Sequence, residues 1–279
     1  MSGTLYLCAT PIGNLGDISY RCLETLKSVD MIAAEDTRRT LQLLNHFDIT
    51  KPLTSYHEHN KREKGGYIIE LLKDGKNVAL VSDAGTVAIS DPGEDLVSLC
   101  IENDILVSPI PGAVAAINAL IISGLPTRRF AFEGFLSVNK RHRREHLQSV
   151  KNDTHTLIFY EAPHKLKGTL KDLYECFGDR KITLVRELTK IHEEAIRTTL
   201  SEAVTLYEEN SPKGEFVLVI EGAKEIEAEE NPLNDLSVAE HVDKYISDGL
   251  SQKDAIKRVS LDRGVPKRDI YNEYHNLRS

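Results

Sequence analysis

The chain has 279 residues, 41% hydrophobic and 28% charged, a balance that excludes a disordered or fibrous protein and provides for two packed cores plus a small appendage. A formal net charge of −8 excludes a protein that coats nucleic acid indiscriminately, because nonspecific binding depends on neutralising phosphates. No basic and apolar leader opens the sequence, and the longest apolar run, residues 113–122, is interrupted by Asn118 and too short for a bilayer, which predicts a cytoplasmic protein.

From Gly3 onward, short β-branched runs alternate with amphipathic stretches, the rhythm of sheets flanked by helices. Strands are expected at 5–10, 31–35, 78–82 and 105–110, and helices at 19–28, 37–46, 61–73 and 92–103. Gly65 and Gly66 weaken the third helix by about 1 kcal/mol each relative to Ala. A helix over 113–123 closes an N-terminal α/β domain, 1–123, at the turn that begins with Gly124. A second series, 124–223, has strands at 130–135, 156–160, 182–186, 195–200 and 215–220, with helices at 140–150, 163–176 and 201–209. Several of its strands follow one another without a crossover helix, so a mixed sheet is expected. Residues 224–234 are acidic and read as a linker. Helical stretches at 238–247, 252–262 and 267–277 then form a terminal module over 235–279, read as either a helix-turn-helix or a three-helix cap. The cysteines, Cys8, Cys22, Cys100 and Cys176, contain no CxxC pair, and three stand in apolar runs, as reduced buried thiols do.

Three strands of the first series end in loops of small residues: 9–18 with Pro11, 81–93 with Asp83, Ala84, Gly85 and Ile89, and 109–113 with Pro111 and Ala113. Carboxyl ends of strands in open α/β sheets are where ligands bind. None of these loops carries GxGxxG or a GK[ST] ending, which disfavours NAD and ATP. The second series ends strands in Tyr160, Glu161 and Ala162 and in Arg186, Glu187 and Lys190. Each alone reads as readily as a helix cap or a surface ion pair. His57 and His59 have metal-ligand spacing on one strand face but no completing cluster nearby, so no metal is expected and a polar loop over the cleft is. The run Lys140, Arg141, Arg143 and Arg144 contrasts with an acidic chain and is the leading phosphate-contact candidate, joined by Arg38, Arg39, Lys61 and Arg62. A solvated helix face is the plain alternative.

In order along the chain, ATPIGNLGDIS at 9–19, AEDTR at 34–38, SYHEHN at 55–60, VSDAGT and ISDPG within 81–93, PIPG at 109–112, FYEAPHKL at 159–166, RELTK at 186–190 and GEFVLVIEG at 214–222 resemble the ribosomal RNA small subunit methyltransferase I family, part of the tetrapyrrole methylase class. The resemblance covers residues 3–222. It implies two α/β domains with S-adenosylmethionine in the cleft between them, a homodimer, and 2'-O-methylation of a cytidine in the decoding region of small-subunit rRNA. Methyl transfer to a ribose hydroxyl needs a held cofactor and an acid–base group beside the hydroxyl; cofactor contacts are expected at Pro11, Asp83, Ala84, Gly85, Ile89, Pro111, Ala113, Tyr160 and Ala162, and acid–base chemistry at Lys190, Glu187 and Glu161. Two departures stand out: Val87, where proline follows SDAGT in the family, and Ser137, Val138 and Asn139, where a proline is usual. Methylation of a tetrapyrrole precursor and a noncatalytic RNA-binding role remain alternatives, with the basic run favouring RNA and the loops on both sides of the cleft favouring catalysis.

Overall fold

The computed structural model describes residues 2–224 and 232–276. It forms two compact units, one through Ala223 and one from Lys224 onward. Most of the expected acidic linker and the end of the last expected helix lie outside the described residues.

The first unit contains two five-stranded sheets. Its first half runs β1 (Thr4–Cys8), α1 (Tyr20–Ser28), β2 (Met31–Ala34), α2 (Thr37–His46), β3 (Leu53–Ser55), α3 (Lys61–Lys73), β4 (Val78–Val81), α4 (Gly93–Glu102) and β5 (Leu106–Ile110). All pairings are parallel, in the order β3-β2-β4-β1-β5. Alternation along the strands sorts residues to two faces. Ile32, Ala34, Ala79 and Val81 meet Cys22 and Leu26 of α1 and Leu44 of α2, while Ala33, Val78 and Leu80 meet Ile68 and Leu72 of α3 and Leu96 of α4. With both faces covered, β4 is buried along its whole length and reads as a continuous apolar run. The helix α3 forms despite its glycines because Gly65 is a packing position: a Cβ there would stand 3.0 Å from Leu99 Cδ1. β3 was not anticipated; three half-buried residues at a sheet edge carry too little periodicity to read.

The second half runs α5 (Ala115–Ser123), β6 (Phe130–Phe135), α6 (Lys140–Val150), β7 (Thr156–Glu161), α7 (Pro163–Phe177), β8 (Lys181–Arg186), β9 (Glu194–Thr199), α8 (Leu200–Glu209) and β10 (Phe216–Ile220). Its sheet, β6-β7-β10-β8-β9, is mixed, parallel only between β6 and β7. One face carries α6, α7 and α8 through Leu147, Leu170 and Ala203. The other carries α5: Ala116, Ala119 and Leu120 pack on Ile158, Val185 and Val219. A division of the chain at Gly124 therefore assigns to the first domain a helix that packs on the second sheet.

The terminal unit joins α9 (Val238–Ser247), α10 (Gln252–Arg263) and α11 (Lys267–Asn276) around Val242, Ile256, Val259, Ile270 and Tyr274. Ser237 and Glu240 form a capping box at its start, and Gly264 ends α10 in the left-handed conformation. His241 is fully buried, and its imidazole is held below the ordinary value by burial and then by the Arg263 charge.

Candidate active site

β1 and β4 are neighbours, yet the chain leaves β1 toward β2 and leaves β4 toward β5, in opposite directions across the sheet. The two connections cross on opposite faces of the sheet, α1 on one and α4 on the other, so the loops that begin them part and open a crevice at the carboxyl ends of the two strands. The backbone bridges that crevice: Thr10 N–H donates to the Gly85 carbonyl at 2.9 Å and Gly85 N–H to the Thr10 carbonyl at 3.1 Å. Gly85 has φ +84°, and a Cβ on it would stand 3.1 Å from Ile12 Cγ2 and 3.3 Å from the Ala113 carbonyl. Thr86 Oγ1 donates to that same carbonyl at 3.1 Å, drawing the loop after β5 to the loop after β4.

The second sheet faces this rim with the ends of β6, β7 and β8, and a cavity of about 350 Å³ lies between. Tyr160 accepts a hydrogen bond from Ala116 N–H at 3.0 Å, and its ring packs edge-on against Phe132. Burial raises its phenol above the usual range. Two lining loops each hold a pair of non-glycine residues in the left-handed region: Ala88 and Ser90 at φ 66° and 63°, and Glu187 and Thr189 at 52° and 65°. Such positions cost on the order of 1–3 kcal/mol each and persist only where surroundings enforce them. Asp91 enforces the first pair, accepting from Ala88, Ile89 and Gly93 N–H groups. Glu193 holds the second by accepting from Thr189 N–H at 2.7 Å. Val87, where the resemblance led to an expectation of proline, is buried in the first core, so packing anchors the loop in place of a fixed φ.

Negative charge dominates the first-sheet side of the cavity. Asp83 accepts from Asp36 N–H at 3.1 Å and from Arg39 at 2.9 Å. The Glu35 carboxyl is pushed above the usual carboxylate range by burial, then by the charges of Asp83 and Asp91. Across the cavity, Lys190 Nζ donates to Glu187 Oε1 at 3.0 Å.

Asp83, Ala84, Gly85, Ile89, Tyr160, Glu161, Glu187 and Lys190, scattered across the sequence, all border this one cavity. Pro11 borders a neighbouring one. Pro111 is exposed, Ala113 contributes its carbonyl, and Ala162 is the N-cap of α7; none of these three lines the cavity. Glu161 corrects its sequence reading: it is 3% exposed, and its carboxylate takes up Ala162 N–H and the Thr169 hydroxyl, an arrangement that secures α7. Of the eight candidate phosphate-binding cations, only Arg39 borders the cavity. Arg38 pairs with Asp36, Lys61 with Glu58 and Asp95, Arg141 with Glu145 and Arg143 with Asp172. Arg62, Lys140 and Arg144 are exposed. His57 and His59 sit in the turn after β3 with ring centroids 6.0 Å apart, and no metal-holding group of His, Cys, Asp or Glu occurs among the described residues. Sequence reading placed Thr86 in the loop after β4 without giving it a role, and did not single out Glu35, Asp91, Phe135 or Val217 as site residues. The Glu35 and Asp91 signals lay inside the AEDTR and ISDPG motifs, whereas nothing in the sequence separates Val217 from the other apolar residues of its strand.

Residues 4–204 match the tetrapyrrole (corrin/porphyrin) methylase family. The chain is 56% identical to a ribosomal RNA small subunit methyltransferase I of Halalkalibacterium halodurans, over 98% of this chain and 95% of that protein. It is 51% identical to the Bacillus subtilis protein of the same name, over 98% and 94%. Among solved structures, uroporphyrin-III C-methyltransferase of Thermus thermophilus complexed with S-adenosylhomocysteine is similar in fold, with TM-score 0.56 and 17% identity over 77% of this chain and 97% of that one.

Proposed function

The chain belongs to the tetrapyrrole methylase family, alongside the ribosomal RNA small subunit methyltransferase I proteins, and we propose on that premise that it transfers a methyl group from S-adenosylmethionine to the 2'-hydroxyl of a cytidine in the decoding region of small-subunit rRNA. The observation that carries this reading is the bare backbone cradle of Thr10, Gly85 and Ala113 opposite the Lys190–Glu187 pair. The residues fit the cofactor on three counts. A cavity of about 350 Å³ is of ligand size, Gly85 at φ +84° lets the loops after β1, β4 and β5 close together at its rim without an intervening side chain, and Glu35, Asp83 and Asp91 favour a cationic ligand.

When bound, the cofactor supplies an electrophilic methyl group on a sulfonium. The protein's own task is to place a ribose hydroxyl in line with it and to manage the hydroxyl proton. Ala84 and Gly85 would hold the cofactor, with Asp83, Ile89 and Tyr160 lining the same cavity and the Ala113 carbonyl fixing the loop through Thr86. Lys190, held by Glu187, would lie beside the ribose hydroxyl and orient it, and the Glu187 carboxylate of the pair would take up the hydroxyl proton. Glu161 acts at one remove, by securing the start of α7. The protein works in the cytoplasm, where its substrate is made, as a homodimer; Ile117 and Ile121, exposed one turn apart on α5, are apolar surface that such an interface would cover.

Labelled cofactor offered with small subunits, naked rRNA or a precorrin-type macrocycle tests the reading. Label on a ribose of the RNA is the expected result, and label on the macrocycle alone overturns it. Lys190→Ala should lower turnover by about 10²–10⁴-fold, the range of acid–base contributions, with RNA and cofactor affinity retained; near-normal turnover removes Lys190 from this role.

A further inference from the structure

A second cavity, of about 310 Å³, opens beside the first and shares Ser82, Asp83 and Arg39 with it. Its other walls are the loop after β1, through Gly13 and Leu15, and α2, through Gln42 and Leu43. Gly13 meets the Lys190 loop. A Cβ on Gly13 would stand 2.6 Å from Lys190 Cγ and 2.8 Å from both Thr189 Oγ1 and the Leu188 carbonyl. The missing side chain lets the loop that carries Lys190 rest on the loop that walls the second cavity. Lys190, which lines the first cavity, is thereby brought to the edge of the second.

Transfer between two bound reactants requires two compartments that meet at the reacting atoms. A nucleotide stacked in a helix cannot present its ribose inside a protein, whereas a single-stranded one can be splayed out and read on its base edge. We propose that the second cavity receives the target nucleotide, extruded from the RNA, with Gln42 reading the base edge and Arg39 holding an adjacent phosphate. This rests on the methyl-transfer reading above. Gln42 is exposed on α2, and its carboxamide makes no hydrogen bond among the described residues. Its carboxamide offers both a donor and an acceptor to a pyrimidine edge. Leu15 and Leu43 supply apolar walls for the ring. Arg39 uses one terminal nitrogen on Asp83 and keeps its side chain 67% exposed, so its remaining N–H groups are available to a phosphate. The ribose then lies over the seam, beside Lys190.

The test uses small subunits reconstituted with a fluorescent cytidine analogue at the position the enzyme methylates, mapped beforehand, without cofactor. The full-length protein should raise the fluorescence as the base unstacks. Leu43→Trp, which fills the cavity, should suppress that rise while S-adenosylhomocysteine affinity stays within about twofold. Gln42→Leu should lower kcat/KM for subunits on the order of 10–100-fold, again with unchanged cofactor affinity and melting temperature. Bound subunits without a fluorescence rise, or both variants turning over within about twofold of the parent, overturn the nucleotide pocket and leave methyl transfer standing. A parent protein that methylates no RNA overturns the methyl-transfer reading, and the pocket with it.

Discussion

Glu35 stands half-buried at the edge of the cavity, facing the carboxylates of Asp83 and Asp91. Burial and those charges raise its folded-state pKa above the value near 4.3 of an unfolded glutamate. Within the window between the two values, the folded chain binds the proton more tightly than the unfolded one, so stability falls as pH rises. Glu35→Gln removes this penalty. Its melting temperature relative to the parent should therefore increase between pH 4 and pH 7, as read by calorimetry at several pH values. A difference that does not vary with pH shows that Glu35 ionises in the folded state as freely as in water.

Among the elements, α7 shows how a helix start is fixed by a residue that sequence alone reads as catalytic. Pro163 occupies the first helical position and Ala162 offers no side-chain cap, so the carboxylate of Glu161 accepts Ala162 N–H in its place. The second carboxylate oxygen accepts from Thr169, two turns on and 1% exposed. Thr169→Val keeps the shape but leaves a buried acceptor without its donor, at a cost of about 1–3 kcal/mol. Chemical denaturation should show a loss of that order, with Thr169→Ser restoring most of it; a Val variant as stable as the parent means the hydroxyl contributes nothing. The two strained loops follow the same logic, since Asp91 and Glu193 hold backbone conformations that neither loop would keep by itself.

At the scale of the molecule, an acidic protein must hold an anionic polymer through few contacts. Of the cationic run on α6, Arg141 and Arg143 already neutralise Glu145 and Asp172, while Lys140 and Arg144 are exposed. Replacing Lys140 and Arg144 with Ala should reduce the slope of log affinity for RNA against log salt by roughly 1–2, as two released counterions require. The Arg141 and Arg143 double variant should leave that slope nearly unchanged. Titrations at several salt concentrations decide, and equal slopes for both double variants would remove α6 from the RNA surface.

The β/α order, the mixed second sheet, the small-residue loops and the family could all be read along the chain. Hydrophobic period, turn chemistry and motif order are local properties, preserved when residues are written in a line. The seating of α5 on the second sheet, the pairing of Arg39 with Asp83 and the engagement of Glu161 by Thr169 could not be read in this way. Each depends on which surfaces meet after the strands are ordered β3-β2-β4-β1-β5 and β6-β7-β10-β8-β9, and a charge or an apolar face does not encode its partner. Tertiary structure decided these because hydrogen bonds and ion pairs act over a few ångströms in space, between residues separated by 44 positions in one case and 8 in another.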